Sequence, residues 1–120
     1  MSGHEQADLP GRLSAAHRTI DGVRVVTLHG EIDHTGKDIL RDALLSGEGT
    51  ARRVVADLGG VSFMDSSGIN VFVSAHQHLN DLQGRLSIAA PQEAVLRVLV
   101  LIGVDTVIPC HLNREDALNA

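Results

Sequence analysis

The chain reads as a single α/β domain: a mixed, mostly parallel β-sheet with an N-terminal antiparallel hairpin and helices packed on the sheet. Three observations carry that reading. Short apolar runs, suited to strands covered on both faces, alternate with longer stretches of helical periodicity. The dipeptide Asp21-Gly22, lying between the first two strand-like segments, supplies the positive φ angles of a tight hairpin turn. A length of 120 residues is enough for one core without staples.

Residues 1–11 are polar, aperiodic and closed by Pro10-Gly11, which is the composition of a flexible tail, so the folded domain is expected to span 12–120. Leu13 to Ile20 and Val23 to Glu31 are the two hairpin strands. In the second, Arg24, Val26 and Leu28 share one face while Val23, Val25, Thr27 and His29 share the other, which puts this strand well inside the sheet. Thr35 and Asp38 have the spacing of a capping box, followed by the helical stripe Ile39, Leu40, Ala43 and Leu44 and by Gly47 and Gly49 as terminators.

Val54, Val55, Ala56 and Leu58 then form a buried strand, which Gly59-Gly60 is expected to end before a short crossing loop. Asp65 or Ser66 caps the next helix, leaving Ser67 in its first turn among unpaired amides, where helix termini stabilise anions. Gly68, Val71, Phe72, Ala75, Leu79 and Leu82 make the core face of that helix. Ser67, Asn70, Ser74 and Asp81 point outward, and Ile69 and Val73, between the two faces, are expected to form an exposed apolar strip fit for docking.

Gly84 ends this helix and Arg85 to Ala90 forms the next strand. Pro91 is placed at the first position of a further helix, where its missing N–H costs nothing, and Gly103 terminates it. Val95, Val98, Leu99 and Ile102 are its core stripe; Leu96, Val100 and Leu101 lie outside, so a neighbouring helix or another molecule, a homodimer being one arrangement, covers the rest. Thr106 to Cys110 is a last short strand, and Asn113 starts a terminal helix with Glu115-Asp116 in its first turn.

Composition narrows the function classes. The net charge is −5, with ten Lys+Arg against fifteen Asp+Glu, and Phe63 and Phe72 are the only aromatics, which argues against direct nucleic-acid binding. The single cysteine, Cys110, cannot form an internal disulfide, and neither a signal-like segment nor a membrane-length apolar run is present, so the cytoplasm is the expected location. Of the seven histidines, His76 and His78 would point about 200° apart on a helix and cannot chelate one ion, so neither metal nor cofactor is expected. A serine hydrolase would need glycine two residues before its nucleophile; Met64 and Asp65 stand there instead, and no enzymatic activity is expected.

The stretch Ser62-Phe63-Met64-Asp65-Ser66-Ser67-Gly68 resembles the phosphorylation loop of bacterial anti-sigma-factor antagonists, which are single STAS domains. Gly30-Glu31-Ile32-Asp33, Asp57-Leu58 and Asn113-Arg114-Glu115-Asp116-Ala117-Leu118 extend that resemblance over roughly residues 12–118. It implies that the second serine, Ser67, takes the phosphate from an anti-sigma factor that is itself a serine kinase, with Ser66 as second choice. It further implies a phosphatase and a partner-facing surface around Asp33 and Ser67; with Asp65, Ser66 and Asn70 of the same helix start and the strip Ile69 and Val73 read from helical position, these are the expected partner-binding residues. From spacing alone, Asp65, Ser66, Ser67 and Gly68 read first as a helix cap, and Asp33 first as a cap or loop acid; the resemblance reverses the order for Ser67. Asp57 reads as a strand-end acid bound to loop amides. Two other roles compete with the antagonist: a STAS scaffold or accessory subunit, and a nucleotide or small-ligand sensor using the Asp33 and Ser67 cleft.

Overall fold

The computed structural model describes residues 12–45 and 52–120. Five strands, β1 (Ser14–Ile20), β2 (Val23–Ile32), β3 (Arg53–Met64), β4 (Arg85–Ala89) and β5 (Cys110–His111), lie side by side in chain order. β1 runs antiparallel to β2; every other pair is parallel. Asp21 and Gly22 form the hairpin turn with φ of 51° and 81°, as the dipeptide predicts. The helices are α1 (Lys37–Leu45), α2 (Ser66–Asp81), α3 (Glu93–Ile102) and α4 (Arg114–Asn119), with a 3₁₀ turn at Val104–Thr106. The tail at 1–11 and the predicted terminators Gly47 and Gly49 lie outside the described residues.

Strand alternation divides the core in two. Val26, Leu28, Val54, Ala56, Leu58, Leu86 and Ile88 pack beneath α1, α2 and α3 through Leu40, Leu44, Phe72, Ala75, Val95 and Leu99. Val23, Val25, Val55 and Ala89 pack on the opposite face with Ala117 of α4. Both faces of β2 and β3 are therefore apolar, as expected for interior strands. Arg24, on the helical face and only 4 % exposed, donates from Nη1 to the Leu44 carbonyl at 3.3 Å and so satisfies one of the open carbonyls at the end of α1.

Several boundaries differ from the sequence reading, each for a local reason. β3 does not stop at Gly59-Gly60 but continues to Met64, because β2 keeps pairing with it through two register shifts. The first opposes Thr27 and His29 to Asp57 and Gly60, the second Gly30 and Glu31 to Val61 and Phe63, each time with one extra residue on β3. A Cβ on Gly60 would fall on the His29 ring, so a larger residue here would have to push that exposed side chain aside. The capping box at Thr35 does not form: the Thr35 hydroxyl donates to Asp33 Oδ1 at 2.6 Å, and Asp38 faces Arg41 at 3.7 Å.

Further along, α3 starts at Glu93, two residues after Pro91, since Gln92 is its cap residue and turns its side chain to the Gly59 carbonyl at 2.8 Å. Thr106 to Cys110 is no strand; the 3₁₀ turn occupies its start and only Cys110–His111 pairs with β4. Leu82 and Ile102 are more than half exposed, because Leu82 lies past the last turn of α2 and Ile102 ends α3 beside the left-handed Gly103, φ 90°.

Candidate functional site

The site is assembled where β2 and β3 run out at the C-terminal end of the sheet's parallel strands. Ile32 pairs with Met64, and the Asp65 amide donates to the Ile32 carbonyl at 3.1 Å, so the Asp33 and Asp65 backbones leave the sheet side by side. Asp65 is the cap of α2: its backbone is extended, and its Oδ1 accepts from the Ser67 amide at 2.8 Å. The Asp65 carbonyl accepts from Gly68 and Ile69 at 3.1 and 3.3 Å. Capping thus falls to Asp65 and not to Ser66. It also corrects the picture of Ser67 among open amides, because the amides of Ser67, Gly68 and Ile69 all have partners.

Ser66 is exposed and Ser67 half-buried on the first turn, with Asn70 exposed one turn further on. Gly68 is buried because the helix start lies hard against the ends of β2 and β3: a Cβ there would stand 2.5 Å from Ile32 Cγ2 and 2.8 Å from Met64 Cγ. Ile69 is 5 % exposed and belongs to the core, and Val73 is half-buried against it. The expected apolar docking strip is therefore not on the surface. α2 packs on α1 as well as on the sheet, so its buried arc is wider than one stripe and takes in Ile69.

Asp33 is engaged in its own turn. Its Oδ1 accepts from the Thr35 hydroxyl at 2.6 Å and from the amides of Thr35 and Gly36 at 3.0 and 3.2 Å. The Thr35 hydroxyl bond first, then those two amides and the nearby His34, hold the carboxyl below its ordinary value, against a desolvation that raises it. The loop-acid reading of Asp33 thus describes what its side chain does. Asp57 sits within β3, not at its end; it accepts from the Gly59 amide at 2.9 Å, as expected, and also from Arg114 Nε and Nη2 at 3.1 and 2.8 Å. Arg114 donates to Thr27 Oγ1 at 3.2 Å as well, and so fastens α4 to the sheet.

Sequence reasoning missed Phe63. It is 48 % exposed beside the site, whereas the other aromatic, Phe72, is fully buried. The signal was the apolar trio Val61, Phe63 and Met64, which no strict two-residue alternation can bury together. Among the described residues no three His, Cys, Asp or Glu side chains converge as a metal site. Burial, with the Asp105 charge second, pushes the Cys110 thiol up to about 11, which leaves it a poor nucleophile. No helix among the described residues is long and apolar enough to cross a membrane.

A five-stranded sheet with one antiparallel edge, and a capped serine-bearing helix start at the end of its central strand, define the class. The family model described as the STAS domain matches residues 14–117, and the chain belongs to that family. Within it, the chain is 32 % identical over 101 residues to an anti-sigma F factor antagonist of Paenibacillus polymyxa, covering 81 % of this chain and 85 % of that protein. Its fold is similar to the crystal structure of an anti-sigma factor antagonist from Mycobacterium paratuberculosis, with a TM-score of 0.82, 28 % identity and coverage of 92 % and 94 % of the two chains. It is also similar, at a TM-score of 0.68, 21 % identity and coverage of 88 % and 97 %, to the Bacillus cell fate determinant SpoIIAA in its phosphorylated form.

Proposed function

We propose that this STAS domain is an anti-sigma-factor antagonist, a binding module and not an enzyme, switched by phosphorylation at Ser67. The unphosphorylated domain binds an anti-sigma factor that is also a serine kinase and thereby frees a sigma factor; phosphorylation ends the interaction, and a phosphatase restores it. The observation that carries this reading is the helix start itself: Ser66 and Ser67 stand in the first turn of α2 just past the end of β3, capped by Asp65, within a chain 32 % identical over 101 residues to an anti-sigma F factor antagonist.

A phosphate on Ser67 adds about −1.5 to −2 charge. The macrodipole at the start of α2 favours that charge, but Asp65 already holds the Ser67 amide. The phosphate therefore meets a carboxylate on its own chain and is directed outward, toward whatever surface docks there. A partner that fitted a neutral hydroxyl must now desolvate an anion, so the affinity falls while the domain stays folded.

The test is to incubate the domain with ATP and each anti-sigma kinase of the source organism and to map the phosphate by mass spectrometry. Incorporation at Ser67 that disappears in Ser67→Ala supports the reading. Incorporation at Ser66, or none with any kinase, overturns the assignment of the switch to Ser67.

A further inference from the structure

Strict alternation along the end of β3 would turn Phe63 inward with Val61 and leave Met64 facing out. The structure has the reverse: Val61 and Met64 are buried at 0 % and 3 %, and Phe63 is 48 % exposed beside an exposed Ser62. The inversion comes from the second register shift, in which Gly30 opposes Val61 and Glu31 opposes Phe63, so that Ser62 is the extra residue. Bulges are a known means of re-aiming a side chain near a functional site. Here the bulge turns outward one of only two aromatics in the chain, although burying it would stabilise the fold.

We propose that Phe63 is the apolar anchor with which the Ser67 surface grips the anti-sigma factor, filling an aliphatic pocket of that protein whose rim is basic. The inference rests on the function proposed above and deepens it. Position argues for this partner. Phe63 precedes the capping Asp65 by two residues, so a protein that covers Ser67 on the first turn of α2 lies over the same end of β3. Charge argues for the rim: Glu31 is the register partner of Phe63, and Asp33 and Asp65 follow the ends of the two strands, while the Lys or Arg nearest to them in sequence is Lys37. A buried aromatic within a polar rim is the usual anatomy of a binding hot spot.

The experiment compares the wild-type chain, Phe63→Ala and Leu101→Ala by titration calorimetry against each purified anti-sigma factor of the source organism. Leu101 is the control, an 83 % exposed apolar side chain on α3. The proposal expects Phe63→Ala to lose roughly tenfold or more in affinity, Leu101→Ala to bind as wild type does, and both to melt within a few degrees of it. Equal binding by Phe63→Ala and wild type overturns the anchor and leaves the antagonist reading standing. A loss shared by Leu101→Ala also overturns it, since the effect would then be general stickiness. Melting lowered in Phe63→Ala as a core truncation lowers it would make Phe63 structural and overturn the proposal too. If no anti-sigma factor binds the wild-type chain, the antagonist reading fails and the anchor falls with it.

Discussion

The two halves of β3 are built differently although they are one strand. From Arg53 to Asp57 it is paired in continuous register on both sides, with β2 and with β4, and Val54, Val55 and Ala56 are all but inaccessible. From Gly59 to Met64 it has β2 alone for a neighbour, slips register twice, and exposes Gly59, Ser62 and Phe63. Continuous register on both sides leaves side chains no freedom except the two faces of the sheet, so that half makes core. Losing one neighbour and gaining two extra residues lets the second half bury Val61 and Met64 while turning Gly59, Ser62 and Phe63 to the surface. The serine-bearing helix start follows directly from the irregular half.

The largest effect should come from the core above the regular half. Phe72 is fully buried beneath α2, and Phe72→Ala should cost about 3–5 kcal/mol in denaturant unfolding. A change below about 1 kcal/mol would mean that the packed layer is not where stability resides. Smaller, and located at the junction of the two halves, is Gly68→Ala. Its methyl group must displace Ile32 and Met64, an overpacking worth about 1–3 kcal/mol, reduced by the roughly 1 kcal/mol that alanine gains over glycine in a helix. A more stable variant would show that the helix start can lift from the ends of β2 and β3 freely.

Asp65→Ala removes the cap of α2 and should cost about 0.5–2 kcal/mol, whereas Ser67→Ala, which loses only a hydroxyl, should stay within about 0.5 kcal/mol. If the two costs were reversed, Ser67 would be the structural residue and Asp65 the dispensable one. Least of all is expected from Asp33. Its carboxyl lies below the ordinary value in the folded chain, so its contribution is present above the unfolded value, about 3.9, and is lost as the pH falls through the folded one. Urea midpoints at pH 7 and pH 3 should therefore lie slightly closer together in Asp33→Asn than in wild type; a wider gap would contradict the bonding described for that turn.

The same division separates what the amino acids disclose from what they conceal. Elements governed by local rules were legible: the Asp21-Gly22 turn, the left-handed Gly103, the cap at Asn113, which accepts from the Asp116 amide at 2.8 Å, and the apolar stripes of α1 and α2. So was the serine-bearing motif. What was not legible depends on neighbours. Gly59-Gly60 looks like a terminator, but β2 carries the strand across it. Ile69 looks exposed on a helical wheel drawn for one contact surface, but α2 has two. The outward turn of Phe63 exists only because of the register with β2, and no periodicity in one segment contains that register.

Affinity is the most direct measure of the proposed control of binding by charge at Ser67. Calorimetric dissociation constants should be obtained for the phosphorylated domain, the unphosphorylated domain and Ser67→Asp against an anti-sigma kinase found to modify Ser67. The unphosphorylated domain should bind most tightly, Ser67→Asp more weakly, because it carries one charge and lacks the three phosphate oxygens, and the phosphorylated domain most weakly of all, with circular dichroism unchanged throughout. Equal affinities for the phosphorylated and unphosphorylated domains, both folded, would contradict the claim.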